Sequence, residues 1–583
     1  MESFSNLVTS LSDAVWSKGI TIGGDTLPFV VLALLGTGVF LTLRLGFIQL
    51  RRFGHGVAVT TGKYDDPNEP GDVSHFQALS TALSATVGIG NIAGVAIAIH
   101  YGGPGALFWM WVTAFLGMAI KYTEVTLAQA YRDVTGPDRD AAKWEGTVSG
   151  GPMYYIEKGL GTKWKPMAIL FAIMLGVTAF LTGNGIQANT MADTMRASFG
   201  VEPWITGMIS AVLVAFVILG GITRIGTVSG ILAPLMAVVY VAGCLLVIAF
   251  NYDQVLPTFA LIFREAFNPT AGVAGMGTGA ILVTMMWGVK RGLFSNESGQ
   301  GSAPIAHAAA KTDEPVSEGV VALLEPFIDT IVICSMTGLV VIMTGAWNAK
   351  HPTEIPLSGG NMSYVAQQED GRYARTQPLP EIIVQDGVPV NTQAADVPSL
   401  AWYEAPVERL FIDPELTIPF NGTIQTTQGV ARASDGREFR SLHGLAPTTG
   451  APMTMHAFRQ GLKPLGDWGH MVVVISVMLF ALSTAISWSY YGDRCANYVA
   501  GRAAIIPYRL IYVAMHFVGA VLPLTVAWTM GDLLLGVVIF PNLIALWLLS
   551  GKVASLTKSY FDRKPWIVNA EERQMAEAKT TQR

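Results

Sequence analysis

The stretch Phe76–His100 reads FQALSTALSATVGIGNIAGVAIAIH, and its middle decides the fold. Its length and apolarity suit a membrane span, because ~20 apolar residues cross a bilayer core of ~30 Å. Yet Ser84, Thr86, Gly88, Gly90 and Asn91 crowd together where a lipid-facing helix carries Leu and Val. Glycine costs roughly 1 kcal/mol in a helix interior, so two of them among hydroxyls and an amide predict a break. Backbone groups freed inside a membrane are tolerated only where they are buried in protein or line a cavity. They can then hold a solute: half-helix N-termini attract a carboxylate, and unwound carbonyls coordinate Na⁺. Small residues also serve close helix packing. The cluster by itself leaves both readings open.

The composition places this stretch in a membrane. Of 583 residues, 51% are hydrophobic and 14% charged, against ~25% charged in average soluble domains. Repeated apolar runs make the chain an all-α polytopic membrane protein. The net charge of -5 argues against a nucleic-acid partner. Cys244, Cys334 and Cys495 lie in or beside apolar runs and read as packing residues, not a disulfide framework. There is no P-loop and no HExxH or GxSxG in the spans, so neither an ATP-driven pump nor an embedded enzyme is expected. No signal peptide is evident, and the first span serves as the targeting signal.

Working outward from the broken span, eleven spans are expected, near Leu27–Phe47, Phe76–His100, Gly105–Tyr131, Pro166–Met191, Pro203–Gly221, Ile231–Phe250, Gly272–Phe294, Ser317–Gly345, His470–Tyr491, Pro507–Trp528 and Asp532–Leu549. Arg44, Arg51, Arg52 and Lys63 follow the first span, and Lys558, Arg563 and Lys564 the last. Positive charge gathers on the cytoplasmic side, so the N-terminus is expected outside and the C-terminus inside an inner (plasma) membrane. Lys290 and Arg291 are read as inner-end charges, and Ile222–Ser229 as an inner loop with Arg224. The loop 132–165 contains GTVSGGPMYYIEKGLG, expected as a short helix at the interface, and FALIFREAF as one on the outer surface. Lys121 and Glu124 read as a pair that snorkels to the interface.

Gly272–Phe294 is the second suspicious span, rich in Gly with Thr278 and Thr284 inside. Two interrupted spans thus open two successive blocks of five, the mark of inverted repeats with a site between them. Asn184, Gln187 and Asn189, between Gly183 and beyond Gly185, favour a cavity wall over plain interhelical glue. Asp329 is the deepest acid, with hydrogen bonding to the broken helices at least as good a reading as ion binding. Ser483 and Thr484 either bond back to their own helix or face the first break. The chain divides into 1–345, a polar external insertion 346–467 with strand-like runs such as PEIIVQ, spans in 468–552, and a cytoplasmic tail 553–583.

ALSATVGIGNIAGVAIAIHYGGPGALFWMW, GGPMYYIEKGLG, NGIQANTMAD, GVKRGLFSNESGQGSAPIAHAAA, FIDTIVICSMTG and ALSTAISWSYYGDR together resemble the alanine or glycine:cation symporter family. The resemblance covers essentially all the spans and departs at 346–467, where that family has a shorter loop. It implies a five-plus-five inverted-repeat sodium-symporter fold with one extra N-terminal helix. It implies import of a small neutral amino acid, alanine or glycine, driven by Na⁺, without an organic cofactor, in contact with membrane lipid. Gly88–Asn91 is also similar to the Gly-x-Gly-Asn break of neurotransmitter:sodium symporters. By that resemblance amides at Gly88, Ile89 and Gly90 take the substrate carboxylate. Asn91, Gln187 and Trp488 line the pocket, with Trp488 limiting side-chain size, and Thr284 to Gly288 of the second interrupted helix add contacts. Carbonyls of Ser84 and Val87 with the hydroxyls of Ser483 and Thr484 form the Na⁺ site. The competing classes are a proton-coupled amino-acid transporter and a sensor or channel with an external ligand-binding domain. A tail too short for an output domain speaks against the sensor.

Overall fold

The computed structural model describes the chain apart from residues 1, 23–24, 66–68, 135–147, 270–279, 358–361, 368–372, 378, 391–398, 403, 523 and 568–583. Among the described residues seven helices are long and apolar enough to cross a membrane, or eight when the bent pair His75–Thr86 and Gly90–Gly102 counts as one. Two shorter apolar helices, Phe29–Arg44 and Pro203–Ile218, join them. The start of the second Gly-rich span, with Thr278, lies outside the described residues, and Ala280–Asn296 continues it as a helix. Outward faces are apolar: Phe216, Ile231 and Val238 are 70%, 68% and 65% exposed. A surface of this kind is a lipid-facing wall, and the protein is a multi-pass membrane protein.

Several expected boundaries move. Ile222–Ser229 is not a loop: the chain turns at Leu219–Gly220, with Gly221 at φ 73°, and runs on as the helix Gly221–Phe250. Arg224 then sits on its first turn and donates to the Phe216 carbonyl at 2.8 Å. His470–Ala500 continues past Tyr491 because Asp493 is neutralised inside the bundle by Arg494 at 2.9 Å and Arg509 at 2.6 Å. Leu524–Arg563 is one helix despite Pro541. Pro152–Leu160 is helical as expected. It packs into the core, however, with Met153, Tyr155 and Ile156 at 0% exposure, and does not lie on a surface. Val255–Phe267 forms the amphipathic helix expected on FALIFREAF.

The insertion is β-rich. Its strands form four-, three- and five-stranded antiparallel sheets around their own core of Ile355, Leu400, Leu410, Phe420, Ile424 and Leu442. Glu381–Gln385 shows the alternation that makes this possible, with Ile382 and Val384 inward and Glu381, Ile383 and Gln385 outward. The first strand, Lys350–Pro356, pairs with the last, Ser441–Pro447, from Lys350↔Pro447 to Pro356↔Ser441. Entry and exit of the sheets therefore meet in one stem. The helix Gly450–Gly461 lies within the segment expected to be external, yet it packs into the bundle, and its Thr454 hydroxyl donates to the Ile92 carbonyl at 3.1 Å.

Candidate substrate and cation site at two helix breaks

The first broken helix starts with a capping box, Ser74 and Gln77 each bonding the other's backbone N–H. It leaves helical geometry at Val87, whose ψ is 86°, then resumes through the wide π-helical turn Gly90–Gly94 and ends at Gly102. The two halves meet at 52°. Gly88 is required for space: a Cβ there would lie 2.5 Å from Thr484 Oγ1 and 3.2 Å from Gln187 Oε1. The freed donors are met by side-chain amides. Gly88 N–H donates to Asn91 Oδ1 at 2.8 Å, and Ile89 N–H to Gln187 Oε1 at 3.2 Å. Thr484 Oγ1 reaches across to the carbonyls of Ser84 at 3.1 Å and Val87 at 3.5 Å. Ser84 Oγ and Ser483 Oγ are buried without a hydrogen-bond partner among the described residues. Neither Thr484 nor Ser483 bonds back to its own helix.

The second break, which the sequence leaves unfixed, follows Asn296. Ala280–Asn296 ends, Glu297, Gly299 and Gly301 take positive φ of 55°, 89° and 79°, and helix resumes at Ala303–His307. Thr284 and Gly288 are therefore not brought to the other site residues. Thr284 donates to the Gly102 carbonyl at 2.8 Å, and Gly288 packs against Ala106 and Trp109. Gly288 precedes Glu297 by about 13 Å of helix axis. Lys290 and Arg291 lie one to two turns before the break, so the segment does not end at them. Both are bound to Asp532, Arg291 through two bonds of 3.1 and 3.0 Å and Lys290 at 2.8 Å.

The two breaks adjoin. A Cβ on Gly90 would lie 2.9 Å from the Phe294 ring, which stacks on Trp528 at 5.1 Å. Asp329, on a π-helical stretch Phe327–Cys334, accepts from Asn91 Nδ2 and from the Ser295 and Thr330 hydroxyls, each at 2.6 Å. One carboxylate thus holds both broken helices. Trp488 lies against Gly183, where a Cβ would come within 2.2 Å of the indole, and its N–H donates to Glu297 Oε1 at 2.9 Å. Asn184 and Asn189 are interhelical glue, donating to carbonyls of Tyr512 and Gly519. Of the three amides only Gln187 reaches the break.

Charge surrounds the second break. Lys121 does not snorkel: it is 0% exposed and pairs with Glu325 at 2.9 Å. His75, before the first break, and His307, after the second, both meet Glu318 through Nδ1. Glu297, Ser295 and Phe294 were not singled out from sequence. Their signal was SNESGQGSAP, a polar and small run that belongs to the break and not to a loop after the span.

A family model described as the sodium:alanine symporter family matches residues 1–368 and 438–574, leaving out the middle of the insertion. The sodium/alanine symporter AgcS of Methanococcus maripaludis is 38% identical over 96% of this chain and 97% of its own length. A putative sodium/proton-dependent alanine carrier protein of Bacillus subtilis is 31% identical over 96% and 93%. A probable sodium/glutamine symporter of the same organism is 29% identical over 96% and 91%. With the two breaks, the amides that meet them and these likenesses together, the chain belongs to the sodium:alanine symporter family.

Proposed function

We propose that this protein imports a small neutral amino acid, alanine or glycine, with Na⁺, by alternating access around the two breaks. The observation that carries the reading is the first break, where two freed amides, two carbonyls and two hydroxyl-bearing residues of another helix converge. Oxygen-only ligation by Ser84 and Val87 carbonyls with Ser483 and Thr484 hydroxyls suits a hard monovalent cation. Thr484 already spans the two carbonyls, so a cation there replaces one weak bond with several short contacts. The substrate carboxylate takes the N–H groups of Gly88, Ile89 and Gly90, with Gln187 turning from the backbone to the substrate. This exchange trades one hydrogen bond for another, so its net cost is small. Trp488, fixed between Gly183 and Glu297, closes the side-chain end of the pocket.

In this reading the spans form two inverted repeats of five after one extra helix, with the N-terminus outside, the C-terminus cytoplasmic and the β-rich insertion external. The names of relatives carry both alanine and glutamine, and pocket volume at Trp488 decides between them. Uptake of labelled alanine, glycine and glutamine into proteoliposomes, with an inward Na⁺ gradient or with choline in its place, tests the proposal. Alanine or glycine uptake should require Na⁺. Uptake unchanged in choline, or driven by a proton gradient alone, would sink it.

A further inference from the structure

Four carboxylates sit inside the protein around the second break: Glu124, Glu297, Glu318 and Glu325, none more than 3% exposed. Two of them have basic partners. Lys121 holds Glu325 at 2.9 Å, and His75 and His307 hold Glu318. His307 Nε2 also faces Glu325 at 3.5 Å. The other two are held by neutral donors. Glu297 accepts from the Trp488 indole and the Ser302 hydroxyl, and Glu124 from the Asn542 amide. Lys121 faces these two electrostatically as well, but neither has a basic side chain paired to it. An uncompensated buried carboxylate costs several kcal/mol.

Beside them stand polar atoms without hydrogen-bond partners among the described residues: both ends of the Gln300 amide, Ser298 Oγ and Tyr491 OH. Gln300 is 0% exposed. Burying such groups unpaired costs about 1–3 kcal/mol each. They flank one loop. Asn542, which bonds Glu124, also donates to the Gly299 carbonyl at 2.9 Å, and Tyr491 meets Trp488 edge to face at 5.4 Å. A bound cation supplies the missing charge and takes the free oxygens of Ser298, Gln300 and Tyr491, though it does not meet the Gln300 Nε2 group. The donors are all oxygen. Among the described residues no three His, Cys, Asp or Glu converge on a metal, so a transition metal does not fit and a small monovalent cation does.

We propose that the second break carries its own cation site, built on Glu297 with Glu124, Ser298, Gln300 and Tyr491, and taking one Na⁺ or H⁺ per transport cycle. It is separate from the Na⁺ site at Ser84, Val87, Ser483 and Thr484, and it rests on the symport reading above. Glu297 couples it to the pocket, because the carboxylate that meets the cation also fixes the Trp488 indole. Occupancy of either site then changes the affinity of the other by the same factor.

The test counts charge. Reversal potentials for alanine uptake in proteoliposomes give the charges moved per alanine, expected to be about two for the parent and about one for Glu297→Gln. One in the parent, or two in both proteins, overturns the site. A trapped pH dye separates the sources: acidification in step with uptake assigns H⁺. A steeply sigmoidal Na⁺ dependence without acidification assigns Na⁺. Gln300→Leu covers the case in which Glu297→Gln does not fold. It should raise the half-saturating concentration of that second cation about tenfold, the effect of losing one ligand worth ~1.4 kcal/mol, and an unchanged curve overturns the site. A binding count distinguishes failure of this site from failure of the symport reading. Solubilised parent should hold one more equivalent of radiolabelled Na⁺, or of H⁺ by pH-stat, than Glu297→Gln whether or not alanine is carried. Equal counts overturn the site.

Discussion

At the first break the freed amides of Gly88 and Ile89 are met by the side-chain amides of Asn91 and Gln187. At the second, the loop after Asn296 is surrounded by Glu297, Glu124 and the Lys121–Glu325 pair. The difference separates two tasks. A neutral lining can exchange one hydrogen bond for another as solute enters, at small net cost. A buried pair such as Lys121–Glu325 cannot be rearranged piecemeal, because each ion depends on the other for compensation in a medium of low dielectric. The first break suits rapid binding and release, and the second suits a lock that opens only when its charges move together.

The sharpest way to break this contrast is Lys121→Met, which strands the Glu325 charge. It should cost about 3–5 kcal/mol of stability, read as a lost monodisperse peak or a large fall in melting temperature. Lys121→Met with Glu325→Leu should restore most of it. A single variant that melts like the parent would show that the second break is not held by charge. At the first break the effects fall on affinity. Asn91→Ala and Gln187→Ala should each weaken alanine binding by about 1–3 kcal/mol, roughly 5- to 150-fold, while the protein folds. Asn91→Ala should be the worse, because it also strips a donor from Asp329. Parent-like binding in both would move the pocket elsewhere.

A smaller effect sharpens the role of the hydroxyls. Ser483→Ala with Thr484→Ala should raise the Na⁺ concentration for half-maximal uptake by about tenfold, and saturating Na⁺ should restore alanine affinity. A parent-like sodium curve rejects that cation assignment while leaving the amide pocket intact. The smallest expected effect is none. Replacing 351–446 by a short Gly linker from Lys350 to Pro447, partners in the stem, should leave alanine affinity within about threefold, below 1 kcal/mol. A larger loss would show that the insertion supports one of the breaks.

The first break was legible because Gly88, Gly90 and Asn91 stand out against an apolar helix at fixed local spacing. Gln187 was legible as one of three amides, but which of the three reaches the break depends on helix rotation, which one-dimensional spacing does not carry. The position of the second break is not fixed by the sequence, for a related reason. Its glycines in 272–279 lie outside the described residues, while Gly299 and Gly301, which take positive φ, fall in a polar run after the apolar one and carry no local mark of a span. Lys121 was read as interfacial because its partner Glu325 lies far along the chain. Pairing across such a separation leaves no local trace. The β-rich character of the insertion showed in EIIVQ, whereas the docking of Gly450–Gly461 onto Ile92 did not, since a short amphipathic helix reads alike on a surface and in a groove.

Asp329 grips Asn91 with one oxygen and Ser295 with the other. A machine that spends an ion gradient loses efficiency whenever an ion slips through without its cargo. Slippage needs an intermediate in which one broken helix has rearranged and its counterpart has not. Any such half-step forfeits one of the Asp329 bonds, worth about 1–3 kcal/mol with a buried group left unpaired. The misfired conformation is then roughly 5- to 150-fold rarer than it would be with two independent helices. In the alternating-access reading proposed above, one carboxylate thereby acts as a ratchet against leak and favours whole strokes over half strokes.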